Sequence, residues 1–324
     1  MTLPPLRGPR PVRDEAVVII ANPRSAGGRT AGTRDRLQRC ADRVLPRVEV
    51  WWTEGPGHAS ELAARAAARA DVVVAVGGDG TCHEVVNGLF DGGVLRRPGL
   101  VFGVIPSGTG GDLVRTLEIP AILDRALSVL VSGHTLPLDV GKVTFQGGRS
   151  ELFINVAGLG ANAVVCERVN RSSKRFGGAP TFLEAIFHTL RDWRPMPARW
   201  RWGGPDGAVG VEMETFAAFC ANGSYCGAGL FVGKGGSMAD GAFELTLVPR
   251  LGPLDALDAT PKFYLGSLGS IPGVVRSRVA WVEMESPLPV ELDGEPQGPG
   301  PVRIEVLPGV LGVRAGWAVP PRIG

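Results

Sequence analysis

A chain of 324 residues with 44% hydrophobic and 20% charged side chains has the composition of a globular protein and is long enough for two domains. Its formal net charge of +2 comes without a block of like charge, which argues against a nucleic-acid-binding protein. No apolar run in the sequence reaches the roughly 18 residues of a transmembrane helix. The N-terminus also lacks the apolar stretch of a signal peptide, so we expect a cytosolic protein.

The first part of the chain alternates between strand and helix patterns. Apolar runs predict strands at 15–21, 48–52, 71–76 and 100–105, with helices at 30–44 and 57–70. This alternation is typical of βαβ units, which form a mostly parallel sheet with helices on both faces and ligands at the carboxyl ends of the strands. We therefore predict an α/β nucleotide-binding domain over residues 1–138.

From about residue 136 the pattern changes to short β-branched segments separated by Gly and Pro turns. These segments predict strands at 152–157, 211–220, 243–248, 279–285 and 302–307, and a helix at 181–190. Such spacing favours a β-rich, antiparallel, sandwich-like domain over residues 139–324. Its last strand could return towards the N-terminal domain, and a cleft between the two domains is the expected place for chemistry.

The strongest motif for chemistry follows the third predicted strand and opens a helix. It consists of Gly77, Gly78, Asp79, Gly80 and Thr81. Glycines let backbone amides approach a phosphate closely, and a helix N-terminus adds unpaired N–H groups and positive potential. Because a carboxylate repels phosphate, Asp79 fits a Mg²⁺ ligand or the base that takes a hydroxyl proton. The alternative is a tight turn in which Asp79 caps the helix.

Polar groups also follow the other predicted strands of this domain. The candidates are Asn22, Arg24 and Ser25 after the first strand, Thr53 after the second, and Gly108, Thr109 and Asp112 after the fourth. Carboxyl ends of parallel strands meet at one edge of a sheet, so these groups converge with the glycine motif on one anion site. For Thr53 alone, a threonine at a helix entry is the simpler interpretation.

In this order the motifs resemble the diacylglycerol kinase catalytic-domain family, which includes bacterial diacylglycerol and lipid kinases and the sphingosine and ceramide kinases. The resemblance rests on Asn22-Pro23, the motif at 77–81, Gly108-Thr109 with Asp112, Asp139-Val140-Gly141, Gly158-Leu159-Gly160-Ala161 and Asp293-Gly294-Glu295. These segments span nearly the whole chain. NAD kinases and phosphofructokinases share the glycine motif, whereas the late Asp-Gly-Glu segment is more specific to lipid kinases.

The resemblance implies an ATP-dependent kinase that phosphorylates a lipid hydroxyl with Mg²⁺ as cofactor. It implies nucleotide contacts at Thr53, 76–82 and Thr109, with Asn22, Arg24 and Ser25 close by. It makes Glu295 the proton acceptor, with Asp79 as the rival base and otherwise a member of a magnesium network with Asp112. A second, structural magnesium site is implied at Ser237, Asp240 and Ala242. Glu295 should therefore lie near Asp79.

The chain departs from the family pattern at positions that bear on the acceptor. Asn162 stands where members often have an Asp that contacts the acceptor head group, and Gly111 stands where they commonly have Asn. An amide can hydrogen-bond a hydroxyl but cannot pair with an amine, which favours a diacylglycerol-like acceptor over a sphingoid base. Residues 232–236 also replace the usual Ala-Pro element before the second metal loop.

The resemblance further implies a lipid substrate, transient contact with a membrane surface and a cytoplasmic location peripheral at the membrane, with a homodimer left open. An apolar helical face at 182–190 fits packed core better than an acyl-chain groove. Three alternatives stay open: an NAD kinase-like enzyme, a non-catalytic nucleotide- or lipid-binding regulator, and a nicotinamide-dependent oxidoreductase based on the Gly-x-Gly-x-x-Ala pattern at 158–163. That pattern falls outside the first βαβ unit, where such enzymes carry it.

Overall fold

The computed structural model describes residues 14–107, 111–132, 134–172, 178–204, 207–227, 229–251 and 261–316. The strands are β1 (Val17–Ala21), β2 (Val48–Trp52), β3 (Val72–Gly77), β4 (Phe90–Asp91), β5 (Val94–Leu95), β6 (Val101–Pro106), β7 (Thr135–Phe145), β8 (Ser150–Phe153), β9 (Val156–Gly160), β10 (Met196–Gly204), β11 (Gly207–Ala221), β12 (Tyr225–Cys226), β13 (Leu230–Phe231), β14 (Phe243–Pro249), β15 (Val275–Val279), β16 (Trp281–Glu285), β17 (Pro289–Leu292), β18 (Glu295–Pro299) and β19 (Val302–Arg314).

The helices are α1 (Arg34–Val44), α2 (His58–Ala67), α3 (Asp79–Leu89), α4 (Asp112–Thr116), α5 (Leu123–Ser132), α6 (Ala161–Arg171) and α7 (Gly178–Asp192). Short 3₁₀ segments cover Ser25–Thr33 and Leu268–Ser270. Within the described residues no helix is both long and apolar enough to cross a membrane. The chain divides into two compact units: unit 1 holds the described parts of Met1–Gly108, Leu117–Leu138 and Gly309–Pro320, and unit 2 holds those of Thr109–Thr116 and Asp139–Pro308.

Unit 1 is built on the predicted parallel sheet. Its strand order is β2-β1-β3-β6, followed by the C-terminal end of β19, and every neighbouring pair is parallel. All residues of β1 and β3 are buried, which explains why these strands are continuous Val, Ile and Ala runs rather than alternating ones. A buried ion pair joins the two ends of the unit, because the Arg314 guanidinium donates to the Glu15 carboxylate at 2.6 and 2.7 Å.

The first predicted helix begins later than the sequence pattern indicates. The prediction placed its start at Thr30, whereas α1 starts at Arg34 after the irregular 3₁₀ segment. Three consecutive residues of that segment have positive φ angles, namely Ala26 at 54°, Gly27 at 67° and Gly28 at 87°. A left-handed backbone cannot continue an α-helix, so the chain forms a loop here before the helix begins.

Unit 2 is the predicted antiparallel, β-rich part of the chain. Its strand order is β18-β17-β9-β11-β10-β16, followed by the start of β19, with β14 and β15 added beside β11. Its core is built around the fully buried Trp200, Phe153 and Phe243. The Trp200 indole N–H donates to Thr215 Oγ1 at 2.9 Å, so the largest core side chain keeps its hydrogen bond.

Two of the strands predicted in unit 2 are broken in the structure. The apolar run at 152–157 divides into β8 and β9 around Ile154 and Asn155, and the run at 279–285 divides between β15 and β16. At the first break the backbone N–H groups of Ile154 and Asn155 donate to the side chain of Asp293, in the turn after β17. Hydrophobicity alone could not predict this break, because its cause lies 138 positions away.

Candidate active site

The loops that follow β1, β3 and β6 in unit 1 are joined by hydrogen bonds. The Asn22 amide donates to Thr81 Oγ1 at 3.2 Å, and the Ser107 backbone N–H donates to the Gly77 carbonyl at 2.9 Å. The Thr53 backbone N–H, at the end of β2, donates to the Ala21 carbonyl at 3.0 Å. The predicted convergence of loops at one sheet edge is therefore present for Asn22, Thr53, Gly77 and Thr81, whereas Gly108 and Thr109 lie outside the described residues.

A chain of hydroxyl groups, which the sequence interpretation missed, holds two of these loops together. Thr30 is buried, and its Oγ1 lies 2.7 Å from Ser25 Oγ and 2.5 Å from Ser107 Oγ. Ser25 Oγ also donates to the Asn22 carbonyl at 2.7 Å, and the Arg24 backbone N–H donates to Asn22 Oδ1 at 2.9 Å. Ser25 therefore has a structural role in this arrangement. Arg24 is exposed, and its backbone is held by the turn at Asn22.

The glycine motif forms a strand-to-helix turn with little spare space. A Cβ on Gly77 would lie 2.3 Å from Thr81 Oγ1, so this position requires glycine. Helix α3 begins at Asp79, directly after Gly78, and the Gly78 carbonyl accepts from the N–H groups of Thr81 and Cys82. The N-terminus of α3 carries the positive end of the helix dipole, which favours bound anions, and Asp79 is half-buried there.

In unit 2 the Asp-Gly-Glu segment forms the turn between β17 and β18. Asp293 and Gly294 have φ angles of 52° and 89°, as expected for a two-residue hairpin turn that brings Leu292 opposite Glu295. The buried Asp293 carboxylate accepts three backbone N–H groups, from Ile154 at 3.1 Å, from Asn155 at 2.9 Å and from Val156 at 3.1 Å. This part of the motif therefore fixes the turn, and Glu295 follows it in a half-buried position.

The pKa values of two cysteine thiols in unit 2 respond to the negative charge of carboxylates, Glu295 among them. Burial raises the pKa of the Cys166 thiol well above its usual value, and the negative charges of Glu291, Glu295 and Asp112 raise it further. The pKa of Cys226 is raised in the same way by burial, Glu291, Asp112 and Cys166. Both thiols stay protonated at neutral pH and are therefore poor nucleophiles. The negative charges of Asp112 and Glu295, which are far apart in sequence, therefore both act on the Cys166 thiol of α6.

Asn162, the predicted acceptor contact, lies next to one of these carboxylates. Its Nδ2 donates to Glu291 Oε1 at 3.4 Å, and its Oδ1 is buried without a hydrogen-bond partner among the described residues. A Cβ on Gly158 would lie 1.7 Å from Asn162 Nδ2 and 2.1 Å from Glu291 Oε1. The Gly-x-Gly segment thus provides room for a polar pair, and its place between antiparallel strands excludes a dinucleotide-binding βαβ unit.

The loop of the second predicted magnesium site, residues 237–242, is held by Asp139. The Gly241 N–H donates to Asp139 Oδ2 at 2.7 Å, and the Asp139 N–H donates to the Met238 carbonyl at 2.7 Å. Asp139 is 1% exposed, so these are buried bonds with little competition from water. The Asp139-Val140-Gly141 segment therefore acts here by fixing the loop.

Asp240 supplies the carboxylate of that loop, and it already has a cationic partner. Its Oδ2 accepts the Ser237 N–H at 3.2 Å and lies 2.7 Å from Arg278 Nη2. Its Oδ1 is buried and has no hydrogen-bond partner in the described part of the chain. One bare carboxylate oxygen with the carbonyls of Ser237 and Ala242 fits a hard divalent cation that keeps several waters. The Arg278 charge opposes such an ion. Across the described ranges, no cluster of three or more Asp, Glu, His or Cys residues is arranged for a metal.

Replacing Arg278 should therefore make the stability of unit 2 depend on divalent cations. In Arg278→Gln the carboxylate of Asp240 loses its neutralising partner, which should cost about 1–2 kcal/mol. Millimolar Mg²⁺ or Ca²⁺ should restore that loss in the variant and change the wild type little. The measurement is the Tm by circular dichroism with cation or with EDTA, and the control is Arg201→Gln, which removes an exposed pair with Glu283. An equal cation response in wild type and Arg278→Gln would contradict this prediction.

Large apolar side chains are exposed on one part of unit 2. We call them the apolar rim: Leu183 (55% exposed), Phe187 (66%), Tyr264 (40%) and Leu265 (74%). The hairpin of β12 and β13 joins both halves of the rim, since Leu230 packs with the Phe182 cluster of α7 and Phe231 contacts Gly266. Burial, together with the negative charge of Asp112, raises the pKa of Tyr264 in the rim.

The apolar face of α7 is thus only partly core, which corrects the interpretation from the sequence. Phe182 is buried against α6, whereas Leu183 and Phe187 face outward. Exposed apolar residues one helical turn apart, with others close by, are typical of a surface that binds another apolar phase.

Two family models match the chain. The diacylglycerol kinase catalytic domain matches residues 16–143, and the YegS C-terminal NAD kinase beta sandwich-like domain matches residues 155–315. A probable YegS-like lipid kinase of Pseudomonas aeruginosa is 30% identical over 310 residues, which cover 92% of this chain and 94% of that protein. A diacylglycerol kinase of Mycobacterium tuberculosis is 27% identical over 300 residues, with coverages of 92% and 94%.

Among solved structures, a diacylglycerol kinase from Bacillus anthracis superposes with a TM-score of 0.70 at 22% identity, covering 94% of this chain and 98% of that one. This likeness concerns the fold alone. The α/β unit and the antiparallel β unit are those of the two-domain lipid kinases. Since a relative is 30% identical over nearly its whole length, the chain belongs to the family of YegS-like lipid kinases and diacylglycerol kinases. The resemblance and the fold class predicted from the sequence are thereby confirmed.

Proposed function

We propose that the protein transfers the γ-phosphoryl group of ATP to a hydroxyl of a lipid, with a diacylglycerol-like acceptor favoured. The observation that carries the proposal is the Asp293 turn of unit 2, where three hydrogen bonds from backbone N–H groups fix the position from which Glu295 follows. A carboxylate held in this way suits proton removal from an acceptor hydroxyl. Membership of the lipid kinase family supports the same chemistry.

The linked loops of unit 1 would bind the nucleotide. The amides at the start of α3, the Gly77 turn and the loop at Asn22 offer donors to phosphate oxygens, and the Thr30 hydroxyl chain keeps two of the loops in place. Phosphoryl transfer depends on alignment and charge neutralisation more than on covalent help. Asp79 of unit 1 and Asp112 of unit 2 are the predicted Mg²⁺ ligands, and their sharing of one ion stays a prediction. Mg²⁺, when bound, would neutralise charge on the transferred phosphate.

Asn162 would orient the acceptor. Its buried Oδ1 has no donor among the residues that the structure describes, so a lipid hydroxyl could supply a hydrogen bond there. Glu295 would then take the proton of the attacking hydroxyl, with Asp79 as the rival base. Glu295 belongs to unit 2 and Asp79 to unit 1, so their predicted proximity stays a prediction.

The decisive experiment offers γ-labelled Mg²⁺-ATP and a mixed panel of diacylglycerol, monoacylglycerol, sphingosine, ceramide and NAD to the full chain. Thin-layer chromatography of the organic extract should show a labelled product from diacylglycerol. A labelled product that stays in the aqueous phase with NAD would favour the NAD kinase-like alternative, to which the β-sandwich family model and the glycine motif both relate. Nucleotide binding without any labelled product would favour the non-catalytic regulator.

The apolar rim supports the proposal that the protein works in the cytoplasm and contacts a membrane surface transiently. Each fully buried Leu or Phe side chain contributes about 1.5–3 kcal/mol on leaving water, so a few such residues suffice for reversible attachment. Contact at the rim would bring unit 2 to the membrane surface, where a lipid acceptor resides.

Charges placed in the rim should therefore weaken membrane binding without harming chemistry. The double variant Leu183→Asp, Phe187→Asp should sediment with diacylglycerol-containing phosphatidylglycerol vesicles at least about tenfold less than wild type. Phosphorylation of a short-chain, water-soluble diacylglycerol should stay unchanged. Val94→Asp, at a residue 71% exposed in unit 1, serves as the matched control. Unchanged vesicle binding of the double variant would remove the rim from the proposal.

A further inference from the structure

Glu291 is a buried carboxylate that neither the motifs nor the predicted chemistry use. It lies on β17, two positions before the Asp293 turn, and is 3% exposed. Burying a charge is costly unless it is hydrogen-bonded, so a buried carboxylate is retained where its contacts fix something. Two of its contacts are with polar groups of the candidate site.

The first of these contacts fixes the turn that presents Glu295. Glu291 Oε2 accepts the Gly294 N–H at 2.7 Å, the length of a charge-assisted hydrogen bond. Gly294 immediately precedes Glu295 and has a φ of 89°. The hydrogen bond therefore fixes the backbone directly before Glu295, and with it the direction in which the Glu295 side chain leaves the chain. The preceding residue, Asp293, is fixed from another direction by the backbone of residues 154–156.

The second contact reaches the residue that would orient the acceptor. Glu291 Oε1 lies 3.4 Å from Asn162 Nδ2, and this bond directs the amide so that Oδ1 stays available. Strand pairing makes the contact possible, because Glu291 lies opposite Gly158 between β17 and β9. Since Gly158 has no side chain, the carboxylate and the amide fill the space where its Cβ would be.

We propose that Glu291 is a positioning residue that couples Glu295 to Asn162, an inference that rests on the proposed lipid kinase activity. One oxygen fixes the turn before Glu295 and the other fixes the Asn162 amide. The distance between the proton acceptor and the acceptor hydroxyl is thereby set by a single side chain. Glu291 itself takes no proton in the reaction.

The test compares Glu291→Ala with Glu291→Gln in the full chain. Gln keeps an oxygen that can accept the Gly294 N–H, whereas Ala leaves both contacts empty. Glu291→Ala should lower kcat for diacylglycerol by about 10–100-fold with an unchanged KM for ATP, as a misplaced reactive group does. The kcat of Glu291→Gln should stay within about threefold of the wild-type value, because Glu291 contributes by positioning its neighbours and not by its charge. Hydrogen exchange of the peptide covering 289–299 should accelerate in the Ala variant only.

Glu244→Ala is the matched control, since Glu244 is another buried carboxylate of unit 2, at 8% exposure, paired with Arg276 and Arg278. It should lower the Tm and leave kcat of the folded fraction unchanged. If Glu291→Gln and Glu291→Ala were equally inactive, the charge of Glu291 would be what matters, and its role as a positioning residue would be overturned. Full activity of Glu291→Ala with unaltered exchange would overturn the inference alone. A wild type that labels no lipid would instead overturn the proposed function.

Discussion

Glu295→Gln is expected to abolish lipid phosphorylation, with kcat lowered by about 10²–10⁴-fold, the range that a general base contributes. The amide has nearly the shape of the carboxylate but cannot take a proton. Because Asp293 and Gly294 determine the turn through their own hydrogen bonds, the substitution leaves the scaffold of the site intact. The Tm and the affinity for ATP should therefore match those of wild type.

The comparison that separates the two candidate bases uses Asp79→Asn, which should also abolish turnover. If Asp79 acts through Mg²⁺, raised Mg²⁺ or Mn²⁺ should recover part of its activity, and no cation should rescue Glu295→Gln. Glu283→Gln, a partly exposed carboxylate of the same unit, is the control and should keep the wild-type rate. Wild-type turnover by Glu295→Gln would remove Glu295 as the base, and inactivity of Asp79→Asn at every cation concentration would transfer that role to Asp79.

Asp293→Ala is expected to cause the largest loss of stability, about 3–5 kcal/mol of the free energy of unfolding of unit 2. The substitution leaves three buried N–H groups without their partner, and each unsatisfied buried group costs about 1–3 kcal/mol, partly relieved by water. Alanine also disfavours the φ of 52° observed at this position, by about 1–2 kcal/mol. Urea unfolding followed by tryptophan fluorescence measures the change, since the buried Trp200 reports on this unit.

Asp293→Asn is the matched variant for that experiment. Asparagine adopts positive φ angles readily and keeps one oxygen that can accept from residues 154–156. It should cost only about 1–2 kcal/mol, the difference between a charged and a neutral acceptor. An Asp293→Ala protein as stable as wild type would mean that the three hydrogen bonds contribute nothing to the fold of the turn.

Local pattern was sufficient to predict β1, β2, β3 and β6 of unit 1 and the glycine turn. Two of these strands, β1 and β3, are buried along their whole length, so hydrophobicity alone marks them, and the space at Gly77 admits only glycine. The position of Glu295 after a tight turn also follows from Asp-Gly, a pair that favours positive φ angles. These features are determined by residues close in sequence.

What the sequence could not reveal depends on partners from distant segments. Glu291 resembles any other acidic residue of a strand until pairing with β9 places it opposite Gly158. Thr30 connects the loop after β1 to the loop after β6 through Ser107, 77 positions later. The outward side of α7 was predicted as core because helical periodicity shows which residues share a face, and burial depends on what packs there.

The end of β19 supplies the strand beside β6, and Arg314 beside it supplies the cation that neutralises Glu15. During synthesis on the ribosome, unit 1 therefore lacks its outer strand until the end of β19 has been translated. A fragment that stops at residue 138 would expose the unpaired edge of β6 and a buried acid without a counter-ion, and we expect it to aggregate. Producing the nucleotide-binding part alone should require grafting residues 309–316 after a linker.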